Sequence, residues 1–237
     1  MGREAATVGA LLLAAAMLSA CGSELERPAN ANIRTRRAAT WSVSGVETER
    51  EWSSGKTTSL SPWQTRDCYS DLGSLYMPAE VKGWRERSGN ADNFTARMTV
   101  RCSEYKQSYG YLRRTTTVDW ATLYSGAYRS TSGSTSLSGS ADLPIGFRFN
   151  RNSGNGYVKD FELVYGTMIM VPGPLAYVTG YADQSGSGWA LNFGSASTEH
   201  TLICPDQHVM SKLAVRYDTR NGKVRRFKIG CRALRDL

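Results

Sequence analysis

Three stretches, GWRERSGNADNFTARMTVRC at residues 83–102, GFRFNRNSGNGYVKDFELVY at 146–165 and KLAVRYDTRNGKVRRFKIGC at 212–231, align without a gap when superposed on their last residue. In that register Trp84, Phe147 and Leu213 coincide, as do Met98, Phe161 and Phe227, and then Val100, Leu163 and Ile229. The second half of each stretch alternates apolar and polar residues with period two and is rich in β-branched and aromatic side chains, the pattern of a half-buried strand. A polar turn precedes it at residues 88–90, 152–156 and 218–222, where Gly, Asn and Asp tolerate positive φ. Before the turn a second apolar run (81–87, 145–151, 210–217) completes a β-hairpin.

The copies end at 102, 165 and 231, so the chain beyond about residue 40 divides into three units of similar length, 40–102, 103–165 and 166–237. The runs between the hairpins are short and aromatic-rich, and none has the length and period of an amphipathic helix. Four strands per unit predict a twelve-stranded, all-β domain with pseudo-threefold symmetry. Trp84, aligned with apolar residues in both other copies, is expected in the core.

The amino terminus speaks to location. Arg3 precedes an apolar run at 8–18, and Leu18-Ser19-Ala20-Cys21 follows, which is the order of a secretory signal: charge, short hydrophobic region, small-residue cleavage site. The run is too short to span a bilayer as a helix. Leu18-Ser19-Ala20-Cys21 resembles the lipobox of bacterial lipoproteins. That resemblance implies removal of residues 1–20, a lipid on Cys21, and an envelope protein held by that lipid, with Gly22 favouring the outer over the inner membrane. An ordinary secreted chain with a spare cysteine is the alternative. Residues 21–39 are polar, contain Pro28 and show no apolar period, as a tether would.

Setting Cys21 aside leaves Cys68, Cys102, Cys204 and Cys231, an even number in an exported chain. Of the three possible pairings, Cys68 with Cys102 and Cys204 with Cys231 agrees with the repeat, because Cys102 and Cys231 occupy the same final position of their copies. The spacings are not those of a zinc site, and no metal or cofactor is expected.

A Cys-Pro pair, an apolar strand, a Gly-containing turn and a second apolar strand ending in Cys (204–231 is the clearest instance) resemble the hairpins of the β-prism in vitelline membrane outer layer proteins. The resemblance implies three Greek-key units and a binding role, commonly towards carbohydrate, without catalytic residues. β-Trefoil and dermatopontin-like repeats are the competing threefold folds.

No catalytic signature stands beside these features. His200 and His208 lack a neighbouring nucleophile and orienting acid. The acidic residues Glu47, Glu49, Asp92, Asp142, Asp160, Glu162 and Asp183 sit in no glycosidase pattern, so a carboxylate-dependent hydrolase ranks third among the readings. Two surface features point instead to binding. Net charge is +8, and the last hairpin is densely basic, with Arg216, Arg226 and Lys228 predicted on one side and Phe227 and Ile229 on the other. A solvated outer face is the plainer account of those charges. Tyr181, Asp183, Gln184 and Trp189, in a Gly- and Ser-rich stretch, combine ring faces with hydrogen-bonding groups in the manner of sugar sites. The expected partners are therefore the membrane through Cys21 and a glycan or anionic polysaccharide; an envelope protein is the alternative partner, for a scaffold or toxin inhibitor. Nucleic acid is not an expected ligand.

Overall fold

The computed structural model describes residues 41–53, 59–86, 94–108, 111–126, 132–171, 177–191 and 197–236, with the side chains of 86, 108, 168–171, 177–184, 197 and 236 outside that description. Its elements in chain order are β1 (Trp41–Trp52), β2 (Gln64–Asp67), α1 (Cys68–Leu72), β3 (Tyr76–Glu86), β4 (Phe94–Ser108), β5 (Tyr111–Thr117), β6 (Ala121–Ser125), β7 (Ser132–Ser136), β8 (Asp142–Asn152), β9 (Val158–Val171), β10 (Tyr177–Gly186), β11 (Ser197–Ile203), β12 (His208–Tyr217) and β13 (Val224–Asp236). They form three antiparallel sheets: sheet I in the order β1-β13-β12-β2, sheet II in the order β5-β4-β3-β7 with β6 also on β4, and sheet III in the order β10-β9-β8-β11. Each sheet is centred on one of the three sequence hairpins. The fold is all-β and β-prism-like.

In sheet III the hairpin and the two strands after it make a Greek key, and in sheet II the hairpin does the same with β5 and β7, β6 being added beside β4. Sheet I has the same layout, but its hairpin is the last in the chain and its flanking strands are the first, β1 and β2. The two ends of the domain therefore close the ring. The consecutive segments 40–102, 103–165 and 166–237 consequently do not each form a sheet, since β1 and β2 leave the first of them for sheet I.

The symmetry extends to irregularities. Each central hairpin carries a β-bulge on its first strand, at Ala79, Ile145 and Ser211, and a second on its other strand, at Ala96, Lys159 and Arg225, with the same stretch of regular pairing between them in all three. These fall at equivalent positions in all three copies, and bulges increase local twist, which lets flat strands wrap a common axis. Along that axis the inward rows stack as layers: Met77, Leu143 and Val209 at one end, then Val100, Leu163 and Ile229, then Met98, Phe161 and Phe227, all buried. Phe147 lies 4.8 Å from Phe227 and 5.7 Å from Phe161 between ring centroids, so side chains from sheets I and III interlock.

The gapless register fails in the first hairpin. Val81 pairs with Val100 across 19 residues, whereas Phe147 pairs with Leu163 and Leu213 with Ile229 across 16. Three extra residues lie between Arg85 and Thr95, and an odd shift reverses which face a strand residue occupies. The true counterpart of Phe147 and Leu213 is therefore Val81. Trp84 corresponds to Asn150 and Arg216 and stands outside the core, half-buried, with the Arg97 guanidinium 4.4 Å from its ring centre. Gly83 takes the inward position held elsewhere by Phe149 and Val215, because a Cβ there would come within 2.6 Å of the Phe161 ring.

At the turn end of the prism three equivalent residues, Phe94, Tyr157 and Lys223, meet. The two rings are 5.1 Å apart, and Lys223 Nζ lies 4.7 Å and 5.3 Å from their centroids. Beneath them Asp218 is fully buried. Its carboxylate accepts from the Tyr157 hydroxyl (3.2 Å), Arg225 Nε (3.2 Å) and the Arg220 main-chain N–H (3.0 Å). Burial alone would raise its pKa, but the Arg220 and Tyr157 donors and the Arg225 charge outweigh it and hold the carboxyl below the usual range.

The cysteines pair as Cys68–Cys102 and Cys204–Cys231, with Cα–Cα distances of 5.8 and 5.5 Å. Both bonds run between sheets. Cys68 follows β2 of sheet I and bonds β4 of sheet II, while Cys204 follows β11 of sheet III and bonds β13 of sheet I. By the same register the position after β7 of sheet II is Leu137 and the position in β9 of sheet III is Tyr165, so this third junction relies on apolar packing. Leu137 is buried in the central cluster and Tyr165 packs against it.

Two outcomes test this account. Leu137→Cys with Tyr165→Cys should form a third disulfide, visible as a 137–165 crosslink in non-reducing peptide mapping, and should raise stability by about 3 to 4 kcal/mol for a loop of this size; two free thiols after oxidation would show that the junction is not equivalent. Asp218→Asn leaves Arg225 buried without a counter-charge and should cost about 3 to 5 kcal/mol in urea unfolding at pH 7. Because the folded pKa of Asp218 is depressed, its contribution is present above the unfolded carboxylate pKa and disappears as pH falls through the folded value, so the gap between wild type and variant should narrow below about pH 4.

Candidate functional site

Sheet II departs from its two counterparts in a way that makes a cleft. β4 is long enough to pair along one edge with two strands: residues 103–108 with β5 and 97–100 with β6. The link between them, 118–120, turns in at Cys102, where the Val118 N–H donates to the Cys102 carbonyl at 3.0 Å, and the disulfide to Cys68 pins the same point. On the far side the 137–141 turn is fixed by Asp142, whose carboxylate accepts from the Gly139 N–H and the Ser138 hydroxyl. That turn reaches back to β5, since the Arg114 N–H donates to the Ser140 carbonyl at 2.7 Å. Buried Tyr105 braces the base: its hydroxyl donates to the Asp142 carbonyl at 3.1 Å, and burial pushes its pKa up, so it remains a donor at all physiological pH.

The curl of β5 toward the 137–141 turn leaves an open cleft of about 410 Å³ over the strands β3 and β4. Its lining is mostly polar, with Ala79 and Leu137 as its apolar members. Glu80 and Arg101 cross the floor with Ser103, and Arg114, Thr115, Thr117, Ser136 and Ser140 form the sides. Arg101 Nη1 donates to Glu80 at 3.3 Å and its guanidinium lies 4.7 Å from the Trp120 ring centre, while its Nε is buried with no hydrogen-bond partner. Ser103 and Thr117 share a hydroxyl–hydroxyl bond of 3.0 Å. Donors and acceptors held on four adjacent strands next to an indole can receive a polar, hydroxyl-bearing molecule.

The basic third hairpin is matched rather than bare. β1 lies beside β13 and presents Glu47, Glu49 and Glu51 to it. Lys212 binds both Glu47 and Glu49, Lys228 binds Glu49 at 2.8 Å, and Arg226 approaches Glu51 at 3.7 Å. Buried Arg232 bonds Glu47 at 3.0 Å and Asp67 at 3.3 Å. Gly230 makes this possible, because a Cβ there would collide with the Glu47 carboxylate and the Lys212 stem. Glu49, between two ammonium groups, has its pKa lowered by the hydrogen bonds from Lys212 and Lys228. Arg216 and Lys228 both lie over Trp63, at 4.7 and 4.8 Å. Arg216, Arg226 and Lys228 do share the outer side of sheet I; glutamates meet Arg226 and Lys228, and Arg216 stacks on Trp63.

Of the proposed sugar contacts, the side chains of Tyr181, Asp183 and Gln184 lie outside the described residues, and Trp189 is half-buried. Its segment is strapped to β9 by two buried carboxylates: Asp160 accepts from the Leu191 N–H at 2.8 Å, and Glu162 from the Gly188 N–H at 3.1 Å and from Arg148 at 2.9 Å. Burial raises the Glu162 pKa, with Arg148 opposing. Cys21 also lies outside the described residues.

The histidines have structural partners. His200 Nε2 accepts from Arg151 Nε at 2.7 Å and its ring packs 4.6 Å from Trp52; burial and the Arg151 charge lower its pKa. His208 Nδ1 meets the Asp206 carbonyl at 2.7 Å. Among the described residues no three His, Cys, Asp or Glu side chains group to hold a metal ion, and no helix is long and apolar enough to cross a membrane. Sequence reasoning missed the cleft. Its densest local signal is Arg113-Arg114-Thr115-Thr116-Thr117 on β5, but only the pairing of that strand says which of these residues face inward.

No known family profile matches the chain, and no curated protein matches it in sequence. Solved structures with some likeness include PirB (11% identity, TM-score 0.40, covering 66% of this chain and 29% of that one). The functional form of the mosquito-larvicidal Cry4Aa toxin from Bacillus thuringiensis is 8% identical, with TM-score 0.46, covering 79% of this chain and 32% of the toxin. The insecticidal crystal protein Cry7Ca1 of the same organism is 8% identical, with TM-score 0.40, covering 66% and 27%. The chain thus spans about a third or less of each, at TM-scores that leave the architecture to be argued from its own strands.

Proposed function

We propose that this protein is a lipid-anchored envelope protein whose β-prism-like domain binds a glycan in the cleft of sheet II and performs no reaction on it. The observation that carries the proposal is the lining: one carboxylate, two guanidinium groups and five hydroxyl side chains around about 410 Å³, beside the Trp120 ring. A sugar offers alternating donors and acceptors on every face, which such a set can satisfy. The anchor rests on Leu18-Ser19-Ala20-Cys21, and the polar stretch 21–39 would let the domain stand off the membrane.

Purified full-length protein in detergent should bind on a glycan array, and Ser136→Trp, which places an indole in the cleft mouth, should weaken that binding by about tenfold or more, equivalent to about 1.4 kcal/mol, without moving the unfolding midpoint. A blank array together with stoichiometric recovery of one envelope protein in a pull-down would replace the glycan with a protein partner. Cys21→Ser should release the chain from membranes, and the native amino-terminal peptide should carry a lipid mass; an unmodified peptide would remove the anchor.

A further inference from the structure

We infer, resting on the glycan reading of the cleft, that its ligand is acidic: a sugar bearing one anionic group, seated against Arg114. Three observations support this. First, the charges of the lining do not cancel. Glu80 is already engaged by Arg101 at 3.3 Å, whereas no acidic side chain pairs with the Arg114 guanidinium among the described residues. Half-burying a cation without a counter-charge is costly, and an incoming anion removes that cost.

Second, several cations on the other outer faces do have carboxylate partners. On sheet I, Lys212, Lys228, Arg226 and Arg232 each meet a carboxylate, and on sheet III Arg148 meets both Glu162 (2.9 Å) and Glu199 (3.4 Å). Third, Lys82 adds positive charge along the same face of sheet II through its position over Trp84. A carboxylate or sulfate accepting from Arg114 leaves the ring hydroxyls for Ser136, Ser140, Thr115 and Glu80. One anionic group fits and a second would face Glu80.

Calorimetric titration of the full-length protein in detergent with three probes decides the matter: an oligogalacturonate, its methyl ester, and a sulfated oligosaccharide. At least one acidic probe should bind about tenfold or more tightly than the ester, with affinity falling as salt rises. Arg114→Gln should abolish the preference for the acidic probe over the ester, and Arg114→Lys should keep part of that preference. Equal binding of acid and ester by the wild type, abolished by Ser136→Trp, would overturn the acidic inference and leave the glycan reading standing. If none of the three probes binds, and a neutral array is blank as well, the glycan reading itself fails.

Discussion

The domain depends on one packing problem, how three twisted hairpins bury their inner faces against each other around an axis too narrow for three large side chains at every level. The solution is layered and unequal. Phe161 and Phe227 enter one layer with Met98, and at the same level their cross-strand partners are Phe149, Val215 and Gly83, the glycine leaving room for the Phe161 ring. Native interiors are packed to near-crystalline density, so a volume gained on one hairpin must be lost on another. The repeated bulges at Ala79, Ile145 and Ser211 give each hairpin the twist needed to present those residues inward. Departures from perfect threefold symmetry are thus part of what makes the core fit.

Closing the ring is the second demand. Sheet I joins the first and last strands of the domain, a contact made across nearly the whole chain and so costly in loop entropy. Two kinds of interaction secure it. The disulfides tie sheet I to both neighbours, and the ladder of Glu47, Glu49 and Glu51 against Lys212, Lys228, Arg226 and Arg232 holds β1 in register. Exposed ion pairs contribute little singly, but Arg232 is buried and satisfied by several partners at once, so this part of the ladder is the one that specifies the pairing. The junction between sheets II and III, at Leu137 and Tyr165, spans a sequence separation similar to those of the two disulfides and does without a covalent bond.

With sheet I occupied by its own closure and sheet III by the strap over Glu162 and Asp160, sheet II is where the structure leaves polar groups for something else. The split edge of β4 is the cause. Because β5 and β6 share it, the 118–120 link brings Trp120 to Arg101, and β5 bends toward the 137–141 turn to make the cleft. Indole rings elsewhere on the surface are already faced by cations: Trp63 by Arg216 and Lys228, Trp84 by Arg97 and Lys82, Trp52 by Arg151. Stacking of cations on rings therefore accounts for much of the aromatic and basic richness that the composition displays.

The chain itself, read residue by residue, determined the three hairpins, the all-β class and the cysteine partners, because alternation, turn chemistry and repeat position are local properties that survive without knowledge of the fold. Even there one step needed the structure: the three residues added between Arg85 and Thr95 change strand parity, moving Trp84 outward and Val81 inward, and no local pattern reveals where an insertion falls. The tertiary structure alone decided which charges are spent and which are not. Arg226 and Lys228 look like a free basic face in sequence, yet glutamates about 175 residues earlier neutralise them, since β1 is laid beside β13. Arg114, unremarkable in its Arg-Thr run, is left facing an open polar cleft, because Coulomb energy depends on distance in space and sequence separation does not fix it.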